Sequence, residues 1–237
     1  MILPDPSTAA GLAAAQSMAI ALVYADASLV VVNKPAGLLA VPGRGPEKQH
    51  CASRQVQQLY ADALVVHRLD QATSGLMLLA RGTTLQSALR QLFESRAVAK
   101  NYVAVVHGWL PNDTGSISLP LAADWPARPR QKVDHAEGKP ALTYYQVLAR
   151  LPEPGAAGSE NMHPARHPST RLALQPHTGR THQLRVHLQA IGHPIVGDAL
   201  YGPADGASAR LLLHAACLEL VHPATGEPMQ WRCAPAF

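Results

Sequence analysis

Residues 67–80 read HRLDQATSGLMLLA and set three ionisable side chains, His67, Arg68 and Asp70, directly before a turn and an apolar run. A carboxylate held at the mouth of a segment that wants burial can act as a nucleophile or as a base. An Asp beside an Arg in a turn is equally the composition of a structural ion pair or a turn cap. Local context leaves both readings open.

A second chemistry-bearing stretch is GRTHQLRVHLQAIGHPIVGDALYG, residues 179–202. Thr181 is placed to cap a helix that ends at Gly192. Leu184, Leu188 and Ile191 fall at i, i+4 and i+7 and form its expected buried stripe, while His182, Arg185 and Gln189 share another face. A guanidinium carried on that element could hold a carboxylate or a phosphate through two parallel bonds. Taken alone, the helix reads as amphipathic with Arg185 at the surface, and Asp198 reads as a structural turn acid. His177, His182 and His187 step by five and scatter around a helix axis, so no metal site is expected. GxGxxG, GxxxxGK[ST] and HExxH are all missing from the chain, which lowers the odds of nucleotide cofactors and zinc hydrolysis.

These residues need strands and a few helices to position them. LVYADASLVVVNKP (22–35) reads as strand, turn and β-branched strand, followed by a Gly- and Pro-rich loop. TTLQSALRQLFESR (83–96) has Thr83 as an N-cap candidate and apolar residues at Leu85, Leu89, Leu92 and Phe93, which predicts a surface helix with one buried stripe. Residues 99–110, 143–151, 171–176 and 210–223 read as strands. Many strands with few helices predict an α+β fold with a mixed, mainly antiparallel sheet and flanking helices. Residues 152–169 carry almost no core-forming side chains and read as a flexible surface insertion in which His163 and His167 are bystanders.

At 237 residues and 47% apolar, the chain can bury a sizeable core. Its net charge of +4 leans toward a polyanionic partner without deciding for one. The basic run ARPRQK (127–132), with Arg128, Arg130 and Lys132 close to Trp125 and Tyr144 in sequence, could meet phosphates. Cys51, Cys217 and Cys233 fit neither a disulfide framework nor a zinc knuckle, which suggests a reducing cytosol. Residues 9–23 are rich in Ala, Leu, Ile and Met, but no Lys or Arg precedes Lys34 and Asp5 stands where a signal peptide would carry positive charge. No stretch approaches the roughly 18 apolar residues of a membrane helix.

The run HRLDQATSG together with GRTHQLRVH resembles the signature motifs of the RluA family of RNA pseudouridine synthases. The resemblance extends from about Leu22 to the C-terminus and takes in VVNKPAGLLAVPG, KNYVAVVHG, DWPARPRQKV and GKPALTYYQVL. It implies the pseudouridine synthase fold with a central RNA-binding cleft, a tail over residues 1–20 and one catalytic domain over 21–237. Many family members carry an N-terminal S4-type domain; this chain resembles the branch without one.

The resemblance also implies roles. Asp70 falls on the catalytic aspartate, Tyr102 on the active-site tyrosine, Arg185 on the arginine paired with the catalytic carboxylate, and Leu213 on the apolar residue lining the uracil pocket. Without it, Tyr102 in NYVAVV would read as strand packing. RNA contacts fall on Arg68, which in the family helps displace the target base, and on His67, Thr73, Arg180 and His182. The implied reaction turns uridine into pseudouridine with no redox cofactor, ATP or metal, on a tRNA anticodon stem-loop, a 23S rRNA loop or both. A cytoplasmic monomer is expected. Two alternatives stand beside it: an RNA-binding protein that folds RNA without catalysis, and a carboxylate-based nucleoside hydrolase, which would need a second positioned acid.

Overall fold

The computed structural model describes residues 20–151, 168–204 and 208–237. The expected tail and the expected insertion, with His163 and His167, thus lie outside the described residues except at their edges. There Ile20 is buried, and Ser169, also buried, opens a strand. The described residues form two compact units, those up to 100 with 215–236, and those from 101 to 214 with Phe237.

In the first unit, β1 (Ala21–Ala25) and β2 (Leu29–Lys34) make the expected antiparallel hairpin. Asp26 closes its turn, because Oδ1 accepts the Ser28 and Leu29 N–H groups at 2.6 and 2.8 Å. β2 pairs with β4 (Ser74–Arg81), which is also flanked by β3 (Ala63–Val65) and β11 (Leu213–Val221), and β11 pairs with β12 (Pro228–Arg232). β2 and β4 read as near-continuous apolar runs because central strands are covered on both faces. Leu29, Val31, Leu76, Leu78, Leu218 and Trp231 form their core. A single 3₁₀ turn (Pro46–Lys48) precedes α1 (Ala52–Leu59).

Helix α2 (Thr83–Glu94) buries Leu89 completely and packs Leu85, Leu92 and Phe93 beside it, as the spacing predicts. The expected Thr83 cap is corrected. Gly82, with φ 78°, occupies the cap position without a side-chain bond, and Thr83 is already helical.

In the second unit, β5 (Ala99–His107), β10 (Ser169–Pro176), β9 (Leu142–Leu151) and β6 (Thr114–Ser118) lie side by side, each pair antiparallel. Along β9, Tyr144, Gln146 and Leu148 face outward, the two-residue alternation of a half-buried strand. A short hairpin of β7 (Leu121–Ala123) and β8 (Gln131–Val133) carries the basic run at its tip. Helix α3 (Gln183–Ala190) packs Val186 with Leu121, Ala141 and Tyr201. Antiparallel pairing with few helices is the α+β class that the sequence predicts.

Gly75, the glycine of the TSG triplet, sits in β4 with φ 113°, and a Cβ there would be driven into the backbone N and O of Ala215 in β11. Gly75→Ala is therefore expected to cost about 3 kcal/mol or more. The check is a lower urea midpoint at unchanged slope; an unmoved midpoint would mean that the two backbones can part.

Candidate active site

Asp70 is half-buried and opens a tight turn in the first unit, where its carbonyl accepts the Thr73 N–H at 3.1 Å. The next residue is tied down from three directions. The Gln71 carbonyl accepts the Gly37 N–H at 2.8 Å and a Lys34 Nζ proton at 3.1 Å, and the Gln71 amide donates back to the Gly37 carbonyl at 3.0 Å. Lys34 Nζ also donates to the carbonyls of Pro35 and Leu38, at 2.9 and 2.8 Å, and the residue is fully buried. Carbonyl dipoles there replace water that a buried ammonium loses. The result is a turn whose backbone is held in place beside the Asp70 carboxylate. Sequence reasoning missed Lys34; its parity with Val30 and Val32 along β2 was the available signal.

The other residues of the HRLD run divide. Arg68 is exposed, whereas Thr73, expected as an RNA contact, keeps only 3% of its surface open and bonds within the turn through its N–H. His67 stacks on Phe93 at 4.5 Å, and its Nε2 accepts the Leu78 N–H at 2.9 Å, so that nitrogen is engaged with the protein and not with RNA. Burial, helped by the nearby Lys100 charge, pushes the imidazole down to about 3. Lys100 is itself lowered by burial.

In the second unit, α3 departs from its expected form. Thr181 is exposed and caps nothing; His182, left-handed with φ 53°, holds the cap position. Gln183 does the anchoring. Its Oε1 accepts from the Thr178 hydroxyl at 2.7 Å and the Arg180 N–H at 3.0 Å, and its Nε2 donates to the Leu142 carbonyl and to Thr143 Oγ1, both at 3.0 Å. The helix stops at Gly192 as predicted, where the N–H groups of Gly192 and His193 bond the Gln189 and Leu188 carbonyls. Ile191, past the last helical turn, is exposed and leaves the stripe to Leu184 and Leu188.

Gln183 through Leu188 are all buried, so the surface reading of Arg185 is overturned: it is 4% exposed. Its Nε and Nη2 donate to the two carboxylate oxygens of Asp198 at 2.8 and 2.7 Å, a planar fork inside the protein. Asp198 Oδ1 also accepts the Leu200 and Tyr201 N–H groups at 2.9 and 3.1 Å, which is the turn role expected for it. His187 is buried too, with Nδ1 at 3.0 Å from Thr143 Oγ1 and Nε2 at 3.0 Å from the Leu119 carbonyl; burial lowers its pKa despite the latter contact.

Tyr201 links this pair to the basic hairpin. Its hydroxyl accepts the Gln131 N–H at 2.7 Å and lies 2.7 Å from His182 Nδ1, while the Arg185 and Arg130 guanidinium groups sit 5.1 and 5.4 Å from its ring centre. His182 and half-buried Arg130 are thus held by Tyr201. Arg128 and Lys132 are exposed, Lys132 with Asp134 at 3.1 Å. Arg180 is exposed and donates from Nε to the Pro140 carbonyl at 3.2 Å. Tyr102 stands half-buried on β5 opposite Leu174, and Leu213 is buried at the start of β11. Sequence reasoning did not single out Gln183 or Tyr201.

An α+β fold with a clamped aspartate turn and an internally oriented arginine suits an enzyme that works on a polyanion. A family model described as RNA pseudouridylate synthase matches residues 28–190, and the chain belongs to that family. It is an RNA pseudouridine synthase, an isomerase that converts uridine to pseudouridine within RNA. The dual-specificity RNA pseudouridine synthase RluA of Yersinia pestis is 44% identical over 218 residues, covering 91% of this chain and 99% of that one. Its Escherichia coli K12 counterpart is 42% identical over 219 residues, covering 92% and 93%. Human RNA pseudouridylate synthase domain containing 1 superposes with a TM-score of 0.73 at 27% identity, covering 92% of this chain and 84% of that one. These relations favour isomerisation over the nucleoside hydrolase and RNA-folding alternatives. Among the described residues, no helix is long and apolar enough to cross a membrane.

Two outcomes test this geometry. Between about pH 6.5 and 3 the unfolded chain binds a proton that folded His67 refuses, so stability falls as pH drops, by at most about 1.4 kcal/mol per pH unit from this residue. His67→Gln should flatten that slope in urea unfolding; equal slopes would mean that the folded ring takes up the proton. Asp198→Ala leaves a buried guanidinium without its carboxylate and should cost about 3–5 kcal/mol. A loss under about 1 kcal/mol, the scale of a surface pair, would contradict the burial argument.

Proposed function

We propose that Asp70 is the catalytic carboxylate, with Tyr102 stacking the target uracil and Arg185 as the partner cation. The observation that carries this reading is the clamp of Lys34 and Gly37 on the residue after Asp70, which fixes the backbone from which the carboxylate projects. Preorganisation of that kind is what a reacting group needs and what a solvated turn acid does without. The orientation of Arg185 by Asp198 supports its role, since a guanidinium held on one edge by a carboxylate presents its other edge in a fixed direction.

The target base must leave its stack to be reached, at a cost of a few kcal/mol. Exposed Arg68 is suited to hold the displaced strand. Asp70 then attacks C1′ or removes a ribose proton, and the C1′–N1 bond breaks with its electron pair going to the uracil. The base turns and C5 bonds to C1′ as the Asp70 oxygen leaves that carbon or, on the second route, as Asp70 returns the ribose proton; the C5 proton then leaves to solvent and N1 gains a proton. Atoms and electrons balance without an outside oxidant or reductant.

The substrates in this reading are a tRNA anticodon stem-loop and a 23S rRNA loop, which the dual-specificity description of the relatives supports. Two targets that share a short loop suit recognition by local shape and unpaired bases. The enzyme acts as a monomer in the cytoplasm, a reducing setting consistent with Cys51, Cys217 and Cys233 standing as thiols.

Tritium release from RNA labelled at uracil C5 tests the assignment. Asp70→Asn should bind RNA and release tritium about a hundredfold to ten-thousandfold more slowly than wild type. Release at the wild-type rate would remove Asp70 from the chemistry.

A further inference from the structure

The tip of the β7–β8 hairpin is closed by three backbone bonds: Asp124 N–H to the Arg130 carbonyl at 3.0 Å, Ala127 N–H to Asp124 at 3.1 Å, and Arg130 N–H to Ala127 at 3.0 Å. Its foot is fastened where Tyr201 holds Gln131 and Arg130. On this rigid tip stands Trp125, 67% exposed, the most exposed large hydrophobic side chain among the described residues. The Arg128 guanidinium lies over the indole, 3.4 Å from the ring centre. With one face covered by a cation, the open surface of Trp125 is its other face and its edges.

An indole held open in this way has no packing reason to be aromatic. It is suited to a flat partner, and the charge around it selects which one. Arg128, Arg130 and Lys132 outweigh Asp124 and Asp134 on the same hairpin, and a stacked guanidinium keeps its in-plane N–H groups for a phosphate. Base stacking on an aromatic ring is tolerant of sequence because every base has a π-face. That tolerance suits a protein that accepts more than one RNA.

We propose that Trp125, backed by Arg128, is a stacking platform for an unpaired base of the substrate RNA other than the target uridine, with the adjoining phosphate on the Arg128 edge. The proposal rests on the pseudouridine synthase reading and adds to it a contact that recognises single-stranded loop.

The test titrates two RNAs, a stem-loop with the sequence of a tRNA anticodon arm and a fully paired duplex of the same strands, against wild type, Trp125→Ala and Trp125→Phe. The stem-loop should quench tryptophan emission in wild type but not in Trp125→Ala. Trp125→Ala should weaken stem-loop affinity and raise KM about tenfold or more, and Trp125→Phe should recover most of the loss. An abasic residue in the loop should weaken wild type and leave Trp125→Ala unaffected. Equal quenching by the duplex would overturn the platform in favour of phosphate contact alone. Tritium release by wild type with an unchanged KM in Trp125→Ala overturns the platform only; no release by wild type overturns the reading on which it rests.

Discussion

The second unit is organised around one buried ion pair, the fork of Arg185 on Asp198. Two charges removed from water are stable together only when their geometry is good and the leftover lone pairs are bonded. Asp198 satisfies this by also accepting the Leu200 and Tyr201 amides, and that turn in turn aims Tyr201. From Tyr201 the constraint reaches His182, Gln131 and Arg130, so one carboxylate orients the start of α3 and the foot of the basic hairpin. Such a pair adds little net stability over apolar residues of the same volume. What it secures is the direction of a guanidinium.

The first unit handles buried polar groups differently. Lys34 donates to the carbonyls of Pro35, Leu38 and Gln71, so peptide dipoles replace water around the buried ammonium. His67 meets the same low-polarity surroundings by staying neutral, which lets its Nε2 accept an amide proton from β4. Both arrangements converge on the same segment. Lys34 fixes the residue after Asp70, His67 fixes the strand that leads away from the turn, and Gly75 allows that strand to lie against β11. Asp70 is thus carried by a backbone with little room to drift.

A braced backbone around Asp70 and a braced, cation-bearing hairpin would answer separate needs of an RNA pseudouridine synthase. The chemistry requires a reacting group held within a fraction of an ångström. Recognition of unpaired RNA can rest on base stacking, which tolerates different sequences.

Much of this was legible in the chain itself. The β1–β2 hairpin, the stripe of α2 and the stop of α3 at Gly192 follow from local rules of alternation, helical spacing and glycine conformation, which act between near neighbours. The two motifs that carry Asp70 and Arg185 likewise stand in the sequence by residue type. Tertiary structure decided the rest. Arg185 reads as a surface residue until Asp198, thirteen positions on, encloses it, and Thr181 reads as the anchor of the helix start until Gln183 provides that anchor with partners about forty residues away. Lys34 reads as the polar end of a strand until the Gln71 carbonyl closes over it. In each case the deciding partner is distant along the chain, and the polar group is buried, where only a specific partner makes burial tolerable. Local pattern reports which residues want water; only the fold determines which of them are given another polar group instead.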